Sequence, residues 1–432
     1  MQYKINGGHK LKGEVKPVGN KNSVLKLIPA SILFKGDYIL ENVPAILDVQ
    51  VMVEILQDLG AEVDYRKEEG YLKINTENVS KTEIDEELAK RVRASVLFYG
   101  PLLARFGEVK GVFPGGDKIG PRELKAHFSG FLQMGVEFSG NEWGEFKLSG
   151  KPQGGDIFLY EPSVTATENL ILAAAAAEGK TTIRGAAAEP HVQEMCELLQ
   201  ESGVEISGIG SSVLHIEGKI MLEGNAGLEQ KQPHKIWPDH IDIGTLIASS
   251  VVTNGELLIK GVRHKDLKTI LFFFEQLGVS TEAKGADLFV PENQIKKVKD
   301  ANWARVKGIY SQPWYSFPTD LMSVTIAMSL YVEGTILFFE KMFPDRMAFA
   351  VNYNNAGGNV IICDPYRLII TGGKALQGHD YQAPDIRAGM AFFVASLGAD
   401  GESTISNVEH IERGYPNTIE RFRALGAEVA KV

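Results

Sequence analysis

The 432-residue chain lacks most of the features that mark secreted, membrane-spanning or metal-binding proteins. It has only two cysteines, Cys196 and Cys363, and neither lies in a CxxC pair, so we expect no disulfide framework and a reducing compartment. None of the nine histidines lies in an HExxH pattern, and we expect no metal site. No apolar run is long enough to span a bilayer, and the amino-terminal segment has no apolar stretch of the signal-peptide type. The sequence therefore predicts a cytoplasmic protein with no membrane partner.

Positive charge is also in deficit. The 45 Lys and Arg residues against 55 Asp and Glu residues give a formal net charge of −10, which argues against binding to nucleic acid or to an anionic membrane surface. An anionic substrate would therefore need locally clustered Arg and Lys side chains. GxGxxG after a strand and GxxxxGK[ST] are both missing, and we expect no cofactor.

What the sequence does contain is an internal repeat. A five-residue tag of the type Leu-Gly-Ala-Glu-Val occurs six times, with starts 68 to 79 residues apart. The tags lie at 59–63, 134–138, 202–206, 277–281, 356–360 and 425–429. Such even spacing indicates six copies of one structural unit. The chain is also longer than one hydrophobic core usually supports, so two domains are expected.

Each tag follows an amphipathic helix pattern and a strand-like stretch. Before the first tag, Val49, Met52, Val53 and Leu56 follow the i, i+3, i+4, i+7 rule. The tag glycine is then expected to end the helix with a positive φ, and the residues after it to start a strand. One unit is thus a β-α-β module in an α/β protein, and six units taken three and three predict two similar lobes. The polar, turn-rich stretch 225–239 marks one crossing between the lobes.

Eight segments spread along the chain carry a family resemblance. They are VGNKNS (18–23), RASVLFYGPLLARFG (93–107), PGGDKIGPR (114–122), PSVTAT (162–167), FPTDLMS (317–323), FPDRM (343–347), APDIRAG (383–389) and HIERGY (410–415). Together they resemble the UDP-N-acetylglucosamine enolpyruvyl transferases of the EPSP synthase superfamily. The resemblance implies a two-lobed inside-out α/β barrel with three repeats per lobe. It places one lobe at 22–230, the other at 1–21 plus 231–432, and the active site in the cleft.

The activity implied by this resemblance is transfer of the enolpyruvyl group of phosphoenolpyruvate to the 3-hydroxyl of UDP-N-acetylglucosamine. The reaction is addition followed by elimination of phosphate, and it is the first committed step of peptidoglycan synthesis. The expected partners are these two small molecules, with the protein a monomer or weak homo-oligomer.

Phosphoenolpyruvate carries a phosphate and a carboxylate, which are best bound by several cations, with guanidinium groups facing the carboxylate. The resemblance implies Lys21, Arg122 and Arg413 at the phosphate and Arg346 and Arg387 at the carboxylate, with Lys21 and Arg413 also taking part in catalysis. For the acceptor sugar nucleotide it implies a further set, in which Asp320 is the base. That set is Asn22, Arg93, Ser163, Val164, Asp320 and Met342.

The expected proton donor is Asp117, at a position where most of these relatives have cysteine. It lies in the glycine-rich segment 111–120, whose composition is typical of a mobile lid. An aspartate with its ordinary pKa of about 3.9 is ionised at neutral pH. We therefore expect lid closure to desolvate Asp117 and favour its protonated form. Fosfomycin, which alkylates the family's cysteine, should inactivate such an enzyme poorly.

Three local departures from the family pattern bear on the nucleotide contacts. Glu123 and Lys125 follow the lid arginine, His240 ends the WPDH segment, and Pro344-Asp345 precedes Arg346. Three rival functions stay open at this point. One is enolpyruvyl transfer to another acceptor such as shikimate 3-phosphate, and one is a catalytically silent paralogue that binds a nucleotide sugar. The third, a relative of RNA-terminal phosphate cyclase, is disfavoured by the net acidity.

Overall fold

The structure, a computed structural model, describes residues 1–116, 119–120, 122–141, 143–219, 227–299 and 307–432. Asp117, the predicted proton donor, lies outside the described residues. The chain forms two compact units. Unit A comprises Gly19–Gly116 and Arg122–Trp237, and unit B comprises Met1–Val18, the described residues 119–120 and Pro238–Val432. Lys21 therefore belongs to unit A, whereas the lobe boundary expected from the sequence fell directly after it.

Helices and strands are interspersed along the described ranges. The α-helices are α1 Lys21–Ala30, α2 Leu47–Leu59, α3 Glu86–Arg91, α4 Tyr99–Phe106, α5 Lys125–Gln133, α6 Val164–Ala174, α7 Pro190–Glu201, α8 His240–Val252, α9 His264–Gln276, α10 Thr319–Ser329, α11 Ile386–Leu397, α12 Glu409–Glu412 and α13 Thr418–Ala424. Short 3₁₀ helices span Ser31–Leu33, Lys67–Glu69, Arg93–Phe98 and Ala348–Ala356. The strands are β1 Gln2–Asn6, β2 Lys12–Val15, β3 Asp37–Glu41, β4 Glu62–Arg66, β5 Tyr71–Asn75, β6 Glu108–Val112, β7 Glu137–Gly140, β8 Glu145–Ser149, β9 Asp156–Phe158, β10 Lys180–Arg184, β11 Glu205–Ser207, β12 Val213–Glu217, β13 His234–Lys235, β14 Glu256–Ile259, β15 Glu282–Lys284, β16 Asp287–Val290, β17 Gly308–Ser311, β18 Gly334–Glu340, β19 Val360–Asp364, β20 Arg367–Gly372, β21 Asp380–Gln382, β22 Glu402–Ser406 and β23 Glu428–Lys431.

All six tags end a helix as the sequence predicts. The helices before them are α2, α5, α7, α9, the 3₁₀ helix 348–356 and α13. In each case the tag glycine has a positive φ, from +78° at Gly135 to +108° at Gly60, which a side chain at Cβ would oppose. A strand follows each glycine within a few residues. The repeat is therefore confirmed, with a 3₁₀ helix replacing the α-helix in the fifth copy.

A second set of helices forms the interior of each unit. In unit B, α8, α10 and α11 contact one another, and every residue of α8 and α11 is buried. In unit A, α4 packs on α6, in which residues 166–174 are all buried. These helices are apolar on nearly all faces, so their sequences have little of the periodicity that identifies an amphipathic helix. Sequence reasoning missed them for that reason.

The repeated unit is more complex than the predicted β-α-β module. Strands β3 and β4, which flank α2, are not neighbours, because β5 lies between them and pairs antiparallel with both. Val63 and Tyr38 thus both face Ile74 in the register. The same arrangement occurs in sheets β11-β12-β10-β9 and β17-β18-β20-β19. In each of them, the strand that follows the tag strand lies between the two strands that flank the helix. In these sheets a hairpin after the tag lets the next strand enter the gap between the two strands that flank the helix.

The two chain crossings exchange strands between the halves of the sequence. Strand β2 precedes α1 in the chain but pairs in parallel with β14, and β13 precedes α8 but pairs in parallel with β3. The amino-terminal strand β1 completes the last sheet by pairing with β22 and β23. Within the described ranges, no helix combines the length and apolar character needed to cross a bilayer.

Candidate active site

In unit B, the carboxylate of Asp320 lies between two arginines. Its Oδ1 is 2.8 Å from Nη1 of Arg346, and its Oδ2 is 2.7 Å from Nη2 of Arg387. Asp320 is the second residue of α10, so its side chain starts at the amino end of a buried helix. The Asp320 side chain is 24% exposed, whereas each arginine side chain is 7% exposed. Two largely desolvated guanidinium groups therefore face one carboxylate that water can reach.

Arg387 is held in place from both ends. Its backbone N–H donates to Asp385 Oδ1, which caps α11, and its Nη1 donates to the hydroxyl of buried Tyr415 at 3.0 Å. Burial acts to lower the pKa of Arg387, but the negative charge of Asp320 and the contact with Tyr415 raise it above its ordinary value. The guanidinium is therefore permanently charged and fixed in direction.

Arg346 is held by the backbone of α10. Its Nη1 also donates to the carbonyl of Thr319 at 2.9 Å, and its guanidinium lies 5.0 Å from the ring centre of Phe343. Its Nε is buried and has no hydrogen-bond partner in the part of the chain that the structure describes. A buried donor without a partner is uncommon and costs free energy, which is consistent with a ligand oxygen binding here.

The loop that carries Arg346 is anchored by Glu340, a buried residue that sequence reasoning missed. Its two carboxylate oxygens accept hydrogen bonds from the Thr319 hydroxyl at 2.7 Å and from the backbone N–H of Met342 at 2.8 Å. Met342, predicted to contact the acceptor, thus lies at the start of the loop that leads to Arg346, within unit B. Since Glu340 ends strand β18, only its place before the FPDRM segment could have identified it.

In unit A, Lys21 forms a shielded ion pair. It is the first residue of α1, and its Nζ lies 2.8 Å from Oδ2 of Asp48 on α2, with side chains 8% and 6% exposed. Asn20 caps the helix by accepting a hydrogen bond from the N–H of Ser23. Asp48 was not predicted, because in the sequence it has the pattern of an ordinary acidic residue in the first turn of a helix.

Arg93 and Arg122 are brought together in unit A. Nη2 of Arg93 donates to the Arg122 carbonyl at 2.6 Å, and its guanidinium lies over the ring of Phe113. Burial and the positive charge of Arg122 lower the pKa of Arg93 to about 10. A Cβ atom at Gly116 would lie 2.8 Å from Arg122 Nη2 and 2.9 Å from Arg93 Cβ, so glycine leaves room for the pair. The result is a concentrated positive charge.

The amino end of α6 is organised around Ser163. Its Oγ accepts the N–H of Ala166 at 3.3 Å, which makes it the helix cap, and Val164 is the first helical residue. His127 lies 3.0 Å from the Thr165 hydroxyl and 3.0 Å from Nδ2 of Asn169. Burial, with the charge of Arg93, lowers the pKa of His127 to about 3. The imidazole is therefore neutral, and its two hydrogen bonds select one tautomer.

The predicted site residues thus form two groups. Unit A holds Lys21, Asn22, Arg93, Arg122, Ser163 and Val164, and unit B holds Asp320, Met342, Arg346, Arg387 and Arg413. The structure places Asp320, Arg346 and Arg387 in direct contact, and it places Arg93 against Arg122. Over the described ranges, no group of three or more His, Cys, Asp or Glu side chains is arranged to hold a metal ion.

Comparison with known proteins defines the class. Residues 5–422 match the profile of the family described as EPSP synthase (3-phosphoshikimate 1-carboxyvinyltransferase). The enolpyruvyl transferase NikO from Streptomyces tendae has the same fold, with a TM-score of 0.86 at 21% identity over 99% of this chain and 98% of that chain. EPSP synthase from Acinetobacter baumannii gives a TM-score of 0.72 at 16% identity over 100% of both chains. The fold is therefore the two-domain inside-out α/β fold, and the chain is an enzyme of the enolpyruvyl (carboxyvinyl) transferase class.

Closer relatives narrow this class. The chain is 44% identical to a protein of Bradyrhizobium diazoefficiens over 100% of this chain and 98% of the relative. It is 41% identical to one of Borreliella burgdorferi over 100% of this chain and 99% of the relative. Both are named UDP-N-acetylglucosamine 1-carboxyvinyltransferase. The chain belongs to the UDP-N-acetylglucosamine 1-carboxyvinyltransferase family.

Proposed function

We propose that the protein transfers the enolpyruvyl group of phosphoenolpyruvate to the 3-hydroxyl of UDP-N-acetylglucosamine and releases phosphate. The observation that carries this proposal is the Asp320 carboxylate bound between Arg346 and Arg387. Two buried guanidinium groups that already hold a carboxylate form the type of site that the carboxylate of phosphoenolpyruvate requires. The names of the relatives supply the donor group and the acceptor.

In this proposal the substrate carboxylate exchanges with that of Asp320. The unpartnered Nε of Arg346 offers it an additional donor. Asp320, once displaced, is free to accept the proton of the acceptor hydroxyl and act as the base. Binding of phosphoenolpyruvate then also activates the base. By family resemblance the phosphate is assigned to Lys21, Arg122 and Arg413. The closeness of Arg93 and Arg122 supports Arg122, because an anion bound there reduces the repulsion between the two cations.

The chemistry proceeds in two balanced steps. First, the acceptor oxygen bonds to C2 of the donor, its proton passes to Asp320, and C3 gains a proton from Asp117. Second, C3 returns a proton to the Asp117 carboxylate and the electrons of that C–H bond form the C2=C3 double bond. The C2–O bond to phosphate breaks, phosphate leaves with the electron pair of that bond, and Asp320 releases its proton to water. Lys21 and Arg413 stabilise the charge on the departing phosphate. Asn22, Arg93, Ser163, Val164 and Met342 are assigned to the acceptor.

The cellular role that follows is the first committed step of peptidoglycan precursor synthesis, carried out in the cytoplasm by a monomer or weak homo-oligomer. Because Asp117 offers no thiolate, fosfomycin should not inactivate the enzyme efficiently. The two units, with the boundaries given above, would each supply part of the set of residues that one turnover uses.

The direct test is phosphate release from phosphoenolpyruvate with each candidate acceptor, followed by mass analysis of the product. Release with UDP-N-acetylglucosamine, and a product heavier by one enolpyruvyl group, is expected. Release only with shikimate 3-phosphate would assign a different acceptor. Binding of the sugar nucleotide with no turnover would mark a silent paralogue, and either result would overturn the proposal.

A further inference from the structure

Unit A contains a buried polar cluster that none of the assignments above uses. Lys26 of α1 has its Nζ 2.7 Å from Nδ1 of His191 on α7, and the same Nζ contacts Oε1 of Glu168 on α6. Glu168 Oε1 lies 3.2 Å from His191 Nδ1. The side chains of Lys26 and Glu168 are 3% and 1% exposed. These three residues, the Lys26 cluster, are shielded from water.

The contacts fit one set of charges in the cluster. In it, the Lys26 ammonium group donates to the Glu168 carboxylate and to Nδ1 of a neutral His191. Burial lowers the pKa of Lys26, and the negative charges of Glu168, Glu189 and Glu194 oppose this effect. The cluster thus holds one buried ion pair, with one neutral imidazole beside it.

A buried ion pair of this kind is a poor source of stability. Desolvation of the two charges offsets most of their attraction, and apolar residues of similar volume often serve as well or better. The distinctive property of the cluster is geometric, because its three members come from three different helices. A charged, fully hydrogen-bonded contact fixes distance and direction more narrowly than apolar packing does.

Two of the three helices, α1 and α6, carry predicted substrate residues at their amino ends, and α7 is bonded to both. Lys21 and Asn22 begin α1, Ser163 caps α6, and His191 lies in the first turn of α7. A second buried carboxylate, Glu194 of α7, accepts from Ser23 in the first turn of α1 and from the N–H of Trp237 at 2.8 Å. The first turn of α1 is thus bonded to α7, and the next turn is bonded to α6 through Lys26.

We propose that Lys26 is a positioning residue, which sets the distance between the first turns of α1 and α6 through its bond to Glu168. It thereby fixes where Lys21 and Ser163 stand relative to the substrates. This inference rests on the proposed function for its catalytic consequence. A displacement of about 1 Å at a reacting group lowers the rate on the order of a hundredfold.

The test is the paired variant Lys26→Met/Glu168→Met, which removes both charges and keeps the volume. The matched control is Arg105→Met, a buried cation in the same unit that donates to the carbonyl of Thr76 at 2.9 Å and to that of Ile32, beyond the far end of α1. The paired variant should keep its thermal midpoint and lose at least about tenfold in kcat/KM. Its amides in the first turns of α1 and α6 should exchange faster with deuterium. The control should lose thermal stability and keep kcat/KM.

Each other outcome decides the question. Unchanged amide exchange in both first turns of the paired variant would overturn the proposal, whatever the kinetics show. Failure of the paired variant to fold would also overturn it, because the cluster would then hold the fold together rather than set a distance. If the wild-type protein releases no phosphate, the proposed function fails, while the exchange experiment still decides the role of Lys26.

Discussion

Oδ2 of Asp320 lies 2.7 Å from Nη2 of Arg387, and this ion pair is made by two residues 67 positions apart in unit B. Both partners have a role in the proposed reaction, because Asp320 is the base and Arg387 binds the carboxylate of phosphoenolpyruvate. The pair in the ligand-free protein is therefore a contact that the donor has to replace. A stronger ion pair in the ligand-free protein therefore lowers the apparent affinity for phosphoenolpyruvate.

Asp320→Asn separates the two roles of Asp320. The variant removes the competing charge, so phosphoenolpyruvate should bind about tenfold more tightly, while loss of the base lowers kcat by about 10²-fold or more. Calorimetric titration in the presence of UDP-N-acetylglucosamine measures the first effect. Vinyl phosphate, which lacks the carboxylate, is the control ligand and should gain much less. Weaker binding of phosphoenolpyruvate to the variant would contradict the exchange.

Arg387→Lys tests whether a planar guanidinium group with several donors, rather than a positive charge alone, is needed at this position. Lysine keeps the charge but cannot bond Tyr415 and a carboxylate in the same plane, so KM for phosphoenolpyruvate should rise about tenfold or more. KM for UDP-N-acetylglucosamine should change little. The matched control is Arg421→Lys, since Arg421 is a largely buried arginine of the same unit that pairs with Asp242. A control that raised KM for the donor as strongly would refute the specific role of Arg387.

The residues of this pair were predicted as site residues from the sequence, but their contact was not predicted. FPTD and APDIRAG identify Asp320 and Arg387 through family resemblance, and the tag spacing correctly predicts six repeats. Contacts such as Lys21 with Asp48, or Glu340 with Met342, depend on how separate elements pack. Periodicity reports which face of a helix is buried and does not report what it is buried against.

The inner helices show the same limit more clearly. In α11 all twelve residues are buried, so no polar face is left to set a helical period. The insertion of β5 between β3 and β4 likewise depends on a hairpin whose strand order has no sequence signal. What the sequence could supply was the repeat, its glycine caps and its motifs. The order of strands came only from the structure.

Gly116→Ala tests the proximity of Arg93 and Arg122. Gly116 has a φ of +123°, and an added Cβ would approach both arginines below 3.0 Å, so the pair should separate and KM for both substrates should rise several-fold. Gly36→Ala is the control, because Gly36 has a φ of +68° with nothing within 4 Å of the added atom. That variant should lose about 1 kcal/mol of stability and keep its kinetics. Equal kinetic effects in the two variants would remove Gly116 from this role.

Asp117 is tested by two substitutions. Asp117→Asn removes the transferable proton and should lower kcat by about 10²-fold or more, and the wild-type rate should fall as pH rises through the pKa of Asp117. Asp117→Cys should gain rapid inactivation by fosfomycin, seen as a covalent mass increase. Wild-type turnover in the asparagine variant, or covalent labelling of the wild type, would exclude Asp117 as the proton donor.

The stability of unit A should depend on pH through His127. Its pKa is lowered to about 3, by burial first and by the charge of Arg93 second, while an unfolded chain has a histidine pKa of about 6.5. Above pH 6.5 neither state binds the proton, and as pH falls below 6.5 the unfolded state alone takes it up. The free energy of unfolding should therefore decrease toward pH 3, by at most about 1.4 kcal/mol per pH unit from this residue.

Urea unfolding of the wild type and of His127→Gln at pH 7.5, 6 and 5 measures this decrease. The variant should be less stable at pH 7.5, because it disturbs the bonds to Thr165 and Asn169, and it should lose less stability on acidification. Parallel pH dependence in the two proteins would mean that His127 is not held neutral in the fold.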